Sequence, residues 1–321
     1  MPKVAFFCNF GSDVTDSITN YAPAGYDVAL CDPRAPDAEK IEKVRDADFI
    51  IWLGGPLSGK VIESARRARL IQLLSAGFDN IDVRTADRLE VPVCNMGVVI
   101  GTTVAEHAVA LMLAVLRRVT ISDAKMRRGA WQGLAWDCND ALELTGATVG
   151  IVGLGNIGRT VAKRLQGWEN TLLYADIVRY PDAEKMLGVR HVTLDELMRE
   201  SDIVTVHVPL NSSTRGLIGK RELALMKPGA ILVNTSRGPT VDEAALMDGL
   251  KAGKPAAAGL DVFREEPLVK DSPLRKMKNV VLTPHVAGNS AITWHRRGKF
   301  AFDNCQRVWE GKPPLSRVHQ E

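Results

Sequence analysis

Short apolar runs recur along the chain, separated by amphipathic stretches. Up to Asn95 the runs are KVAFFC, DVALCD, DFIIWL, LIQLLS and VPVCN. Stretches such as DAEKIEKVRDA lie between them, and Gly, Pro and Asp punctuate the joints. A second series opens at ATVGIVG and continues through TLLYAD, DIVTVHV, AILVNTS, AAAGLDVF and NVVLTPH. Strands that alternate with helices and read as nearly continuous apolar runs predict parallel sheets covered on both faces. The pattern therefore predicts an α/β protein with two doubly wound parallel-sheet domains. Between the two series lies GTTVAEHAVALMLAVLRRV, a helix apolar nearly all round. A further helical pattern, SAITWHRRGKFAFDNCQRVWEG, begins just past Gly288 and Asn289. The chain is thus expected to leave the first domain near Gly97 and return to it after His285. Residues 1–98 and 288–321 then form one domain and 99–287 the other, with the active-site cleft between them.

Composition narrows the class. The 321 residues are 45% hydrophobic and 25% charged, with net charge +3 and no long basic or acidic block. This gives no reason to expect a nucleic-acid or membrane partner. The longest unbroken apolar run, Ala108 to Leu116, is far below the roughly 20 residues that span a bilayer. MPKVAFFCNF reads as an opening strand and has no signal-peptide layout. The five cysteines (Cys8, Cys31, Cys94, Cys138 and Cys305) stand singly, without a C-x-x-C pair. That pattern predicts reduced thiols in a cytoplasmic protein and no metal site.

The first chemical signal is TVGIVGLGNIGRTVA, in which Gly153, Gly155 and Gly158 follow an apolar strand and open a helix. Gly153 permits a tight turn, Gly155 lets backbone approach a pyrophosphate, and Gly158 lets helix and strand pack closely. The helix start at Asn156 and Ile157 would turn N–H groups and a positive dipole end toward phosphates. The next strand ends at Asp176, 18 residues past Gly158. A carboxylate there accepts bonds from both ribose hydroxyls and repels a 2′-phosphate, which favours NAD over NADP. Arg179, three residues on, leaves NADP open, because an arginine can pair with a 2′-phosphate.

Three further segments each follow a strand of the second series, the end of the sheet where ligands bind in such folds. Arg237, in NTSRGPTVDE, can pair with a carboxylate. Asp261 ends a strand in GLDVFREEP, where it can accept a bond from a nicotinamide amide, and Glu265 and Glu266 precede Pro267. His285, in LTPHVAG, has an ordinary pKa of about 6.5, suited to exchanging a proton near neutral pH. A glutamate on its far nitrogen would orient it and favour its protonated form. Taken singly, each is more often a structural residue. His207 in a strand, His107 in the apolar helix, and His191, His295 and His319 are weaker candidates.

Taken in order, these segments resemble the D-isomer-specific 2-hydroxyacid dehydrogenase family over nearly the whole chain. LLSAGFDNIDV, VAEHAVALMLA, VGIVGLGNIGRTVA, VTVHVPLNSSTRGLI, MKPGAILVNTSRGPTVDEAAL, GLDVFREEP and LTPHVAG all match. The resemblance implies a flavodoxin-like substrate domain, a Rossmann NAD-binding domain, and reversible hydride transfer between a D-2-hydroxy acid and its 2-oxo acid. It implies that Arg237 orients the substrate, that His285 is the acid/base and that Glu266 is its partner. It places Thr103 near the cofactor, Pro209 beside the adenine, Thr235 and Ser236 along the cofactor, and Asp261 on the nicotinamide amide. The backbone N–H groups of Ala76 and Gly77 would bind the substrate carboxylate as a small anion nest. A homodimer packed largely through the apolar helix is also implied.

After the histidine this chain departs from the longer GGxTxE pattern of many members, having Asn289 and Ser290. Trp294 and His295 follow, where members vary with substrate. Two kinds of relative act on other substrates. Formate-type members carry glutamine where Glu266 stands, and phosphite-type members carry a lysine in the early loop that SAGFDN lacks. A reading from another class is an NAD-sensing, corepressor-like binding protein, whose members add long tails for partners.

Overall fold

A computed structural model of the chain describes residues 1–131 and 141–319. Cys138 lies outside the described residues. The chain divides into two compact units, Met1–Ile100 with Asn289–Glu321, and Gly101–Gly288.

The first unit holds β1 (Lys3–Phe7), β2 (Asp27–Cys31), β3 (Phe49–Trp52), β4 (Leu70–Leu73) and β5 (Val93–Cys94). The short last strand of the chain, β13 (Arg317–Val318), joins the same sheet. Strand order is β13-β5-β4-β3-β1-β2. The central strands β3 and β4 are buried at every position, which is why all their residues but one are apolar. Gln72 is the polar exception in β4. Its amide donates to the carbonyls of Leu73 and Cys94, and its Oε1 accepts from Asn304 Nδ2 at 2.7 Å. That network ties the helix Ala291–Trp309 to the sheet. β13 runs antiparallel to β5 and was not anticipated, since two residues carry no periodic signal. The helix starts where Ser290 accepts a hydrogen bond from Thr293 N, so the departure from the family pattern at Ser290 supplies an N-cap.

The second unit holds β6 (Thr148–Val152), β7 (Thr171–Ala175), β8 (Val189–His191), β9 (Ile203–Val206), β10 (Ile231–Asn234), β11 (Ala257–Leu260) and β12 (Val280–Leu282). All its pairs are parallel, in the order β12-β11-β10-β9-β6-β7-β8. The order reverses at β6, whose successor β7 lies on one side and β9 on the other. The carboxyl ends of strands at such a switch point are where α/β sheets bind ligands. The apolar helix spans Gly97–Leu116. Ala105, Ala108, Leu111, Met112 and Leu116 pack into the core with Val149, Ile151 and Val233 of the sheet. Thr103 lies in the second turn of this helix, which begins at Gly97.

Candidate active site

The glycine loop leaves β6 directly. Gly153 has φ +92, and a Cβ there would stand 2.8 Å from Val208 Cγ1 and 3.0 Å from His207 C. A Cβ on Gly158 would stand 2.1 Å from the Gly153 carbonyl oxygen. Both glycines are therefore demanded by the protein's own packing. Gly155 is different: its backbone is extended at φ −70, and a Cβ would meet nothing within 4 Å. Neither strain nor crowding explains it, so the space above it suits a ligand. The helix Asn156–Leu165 starts there, with Asn156 exposed and Ile157 half-buried. The first-turn N–H groups of a helix lack intrahelical acceptors and carry the positive end of its dipole.

Asp176 follows β7. Its Oδ2 accepts from Leu154 N at 2.7 Å and its Oδ1 from Val178 N at 3.0 Å, so the carboxylate is fastened to the glycine loop itself. Pro209 is exposed just beyond β9, and its carbonyl accepts from Thr214 Oγ1. Thr235, at the end of β10, is 7% exposed, and its hydroxyl is buried with no hydrogen-bond partner among the described residues. An orphaned buried hydroxyl costs on the order of 1–3 kcal/mol, which a bound partner would recover. The open cradle at Gly155, the fixed carboxylate of Asp176 and the orphaned Thr235 hydroxyl together fit a dinucleotide.

The loops after β10, β11 and β12 bring Arg237, Glu266 and His285 together. Asn234, 1% exposed, organises the first of them. Its Oδ1 accepts from the amide and hydroxyl of Ser236, and its Nδ2 donates to the Arg237 carbonyl. Gly238 lets this loop press against the next: a Cβ there would stand 1.9 Å from Phe263 C and O. Phe263 N in turn donates to Glu266 Oε1 at 3.0 Å. The other oxygen, Oε2, lies 2.5 Å from His285 Nδ1. Glu266 thus occupies Nδ1 and leaves Nε2 as the nitrogen available to a reacting oxygen. Glu265 is exposed and takes no part in this pair.

Burial by itself would raise the Glu266 carboxyl. The hydrogen bond and charge of His285, the Phe263 N–H and the charge of Arg237 outweigh it and hold the group below the ordinary glutamate value of 4.5. A carboxyl depressed in the folded state stabilises the fold above its unfolded pKa, and that contribution is lost as pH falls through the folded value. We therefore expect Glu266→Gln to lower the urea midpoint relative to the parent at pH 7, with the difference shrinking below pH 4.5. A difference that stays constant with pH would show that the ion pair adds nothing.

His285 adopts φ +53, a left-handed conformation that is uncommon outside glycine and costs of order 1–3 kcal/mol. Asp261 is what holds it there. Its carbonyl accepts from His285 N at 2.8 Å. Its carboxylate, fully buried, accepts from Thr283 Oγ1 at 2.6 Å, Val286 N at 2.9 Å and Ala287 N at 2.8 Å. The Asp261 carboxylate thereby braces the turn that presents His285. His107 Nε2 lies 2.9 Å from Thr283 Oγ1 and 3.5 Å from Asp261 Oδ1. Thr103 is one turn before it on the same helix. Asn234, Thr283 and the supporting place of His107 were missed. They are contacts between distant segments, and no local pattern announces them.

The other histidines lie elsewhere. His207 Nε2 is 2.9 Å from Thr205 Oγ1, its Nδ1 is buried without a partner among the described residues, and burial pushes its pKa down to about 3. It is neutral near pH 7 and cannot serve there as a proton donor of imidazolium type. His191 packs on Tyr174, and His319 sits 3.5 Å from Asp87.

In the first unit, the Ser75–Gly77 loop has its carbonyls tied down. Ser75 O accepts from Met96 N, Ala76 O from Asn95 Nδ2 and Gly77 O from Ser75 Oγ. The N–H groups of Ala76 and Gly77 have no acceptor among the described residues. Trp294 is buried between Phe10, 5.3 Å away, and the Arg297 guanidinium, 4.2 Å from its ring; His295 packs on Tyr21.

A doubly wound sheet with a dinucleotide cradle at its switch point, and an Arg–Glu–His group at neighbouring strand ends, defines a nicotinamide-dependent oxidoreductase site. Residues 109–287 match the model of the D-isomer specific 2-hydroxyacid dehydrogenase, NAD binding domain. A glyoxylate reductase from Korarchaeum cryptofilum is 42% identical over 301 residues, covering 92% of this chain and 90% of that protein. The holo form of D-mandelate dehydrogenase from Rhodotorula graminis superposes with a TM-score of 0.88 at 29% identity, covering 99% of this chain and 98% of that one. An NAD-complexed D-isomer specific 2-hydroxyacid dehydrogenase from Lactobacillus delbrueckii superposes with a TM-score of 0.80 at 25% identity, covering 99% and 100%. The chain belongs to the D-isomer-specific 2-hydroxyacid dehydrogenase family. It is an NAD-dependent oxidoreductase acting on the CH–OH group of small 2-hydroxy acids.

Proposed function

We propose that the chain reversibly reduces a small 2-oxo acid to its D-2-hydroxy acid, with NADH preferred to NADPH and with His285 as the acid/base. The observation that carries this is the 2.5 Å contact between Glu266 Oε2 and His285 Nδ1, made beside Arg237. When bound, NADH supplies a hydride to the substrate carbonyl carbon. Charge then builds on the carbonyl oxygen, and His285 gives up its Nε2 proton to that oxygen. Glu266, on Nδ1, holds the ring's orientation for that transfer. Arg237 pairs with the substrate carboxylate and aligns the carbonyl. In the first unit, the N–H groups of Ala76 and Gly77, which have no acceptor among the described residues, form a small nest suited to a carboxylate. Gly153, Gly155, Asn156, Ile157 and Gly158 hold the cofactor's phosphates, Asp176 its ribose, Pro209 its adenine side, and Thr103, Thr235, Ser236 and Asp261 its nicotinamide side.

The glutamate at Glu266 argues against a formate-type activity. Glyoxylate and hydroxypyruvate are the first substrates to try, given the 42% identity to a glyoxylate reductase. We also propose a homodimer. The apolar helix leaves Val109, Leu113 and Val115 only half-buried, and Val119, Met126 and Trp131 beyond it are exposed. Cys8, Cys31, Cys94 and Cys305 are free thiols, which suits the reducing cytoplasm. The function is tested by following NADH oxidation over a set of 2-oxo acids and determining the configuration of the product.

A further inference from the structure

Arg179 is the residue that left the choice between NAD and NADP open, and the structure shows what it does. Its Nε donates to Glu184 Oε1 at 2.9 Å and its Nη2 to Glu184 Oε2 at 3.0 Å, a side-by-side pair. Glu184 lies on the helix Pro181–Leu187 and is itself anchored. Its Oε1 also accepts from the hydroxyl of Tyr174 at 2.8 Å, and that hydroxyl accepts from Tyr180 N at 2.9 Å. Tyr174 is fully buried in β7, so the acceptor has a rigid footing. The bond from Arg179, followed by that from Tyr174, pushes the Glu184 carboxyl down to about 2, so it stays charged at any working pH. Arg159 is also committed: its Nε donates to Leu154 O at 3.0 Å, and its guanidinium lies 4.2 Å from the Tyr180 ring. Asp176, by contrast, is bonded to Leu154 N and Val178 N and makes no ion pair with Arg179.

We propose that Glu184 is a specificity-determining residue that selects NAD by holding Arg179 away from the ribose end of the cofactor site. The inference rests on the NAD preference proposed above and names the residue that enforces it. A 2′-phosphate carries close to two negative charges and meets the fixed carboxylate of Asp176. A mobile guanidinium would offset that repulsion and bind the phosphate with two parallel hydrogen bonds. Glu184 withholds it. An exposed ion pair alone biases an arginine little, but two parallel bonds to an acceptor fixed by a buried tyrosine raise the bias to about five- to tenfold.

The test is the dissociation constant of NADH and of NADPH, measured by fluorescence titration without substrate, for the parent chain, Glu184→Gln, Arg179→Ala and the double variant. Glutamine keeps an acceptor for Tyr174 while removing the charge that holds Arg179. The parent should bind NADH more tightly. Glu184→Gln should tighten NADPH about five- to tenfold and leave NADH within about twofold, the latter also showing that the variant is folded. The gain should vanish in the double variant. An unchanged NADPH constant in Glu184→Gln, or a gain that persists in the double variant, overturns the role of Glu184. A large loss of NADPH binding in Arg179→Ala alone does so too, since it would mean Arg179 already serves the phosphate. A parent that binds NADPH more tightly overturns the cofactor preference itself, and is visible before any variant is made.

Discussion

Replacing His285 with alanine is expected to lower kcat for 2-oxo acid reduction by about two to four orders of magnitude, the usual share of a positioned general acid. NADH binding should change little, because the glycine cradle and Asp176 lie at other strand ends. The expectation follows from three features of the site. Glu266 occupies Nδ1, so the ring presents Nε2 in a fixed orientation. The left-handed backbone at His285 is held by the carbonyl and carboxylate of Asp261, so the ring's position is built in before substrate arrives. Finally, His207 is kept neutral by burial and is no substitute donor. Steady-state kinetics beside an NADH titration separate the two effects. Near-full turnover in the variant would reject His285 as the acid.

A second large effect is expected far from any reacting atom. Gly238→Ala should reduce kcat/KM by about a hundredfold and lower the melting temperature, since misplacing catalytic groups by about 1 Å costs roughly that much. The added methyl would stand 1.9 Å from Phe263 C and O and 2.5 Å from Arg264 N, all backbone that cannot rotate aside. The loops must therefore separate. Arg237 is adjacent to the glycine on one loop, and Phe263 carries the N–H that holds Glu266 on the other. Parent-like kinetics with a parent-like melting temperature would show that the close approach is not required.

The fold class was legible because buried parallel strands must be apolar on both faces. KVAFFC, DFIIWL and TVGIV read as strands for that reason, and the glycines of the loop after β6 could be placed by spacing. What escaped was short or relational. β8 is three residues at a sheet edge, and β13 is two residues running antiparallel. Neither is long enough to show a period. In the site, Gly155 could be read from its spacing, but only the structure separates it from Gly153 and Gly158, whose neighbours demand glycine. Arg179 could be seen beside Asp176, but not that Glu184 and Tyr174 hold it. Asp261 could be singled out at a strand end, yet its carboxylate's bonds to Thr283, Val286 and Ala287 depend on two loops meeting. Side-chain partners far apart in sequence are set by packing, and a single sequence does not display them.

Hydride is expected to pass from the nicotinamide to C2 of a 2-oxo acid, with one face of the carbonyl presented. This transfer can be followed by supplying NADH deuterated at C4 with hydroxypyruvate or pyruvate and analysing the product by mass spectrometry and chiral chromatography. Deuterium is expected at C2 of a D-configured 2-hydroxy acid. An L-configured product, or NADH that binds but transfers deuterium to none of the 2-oxo acids tried, would contradict that expectation.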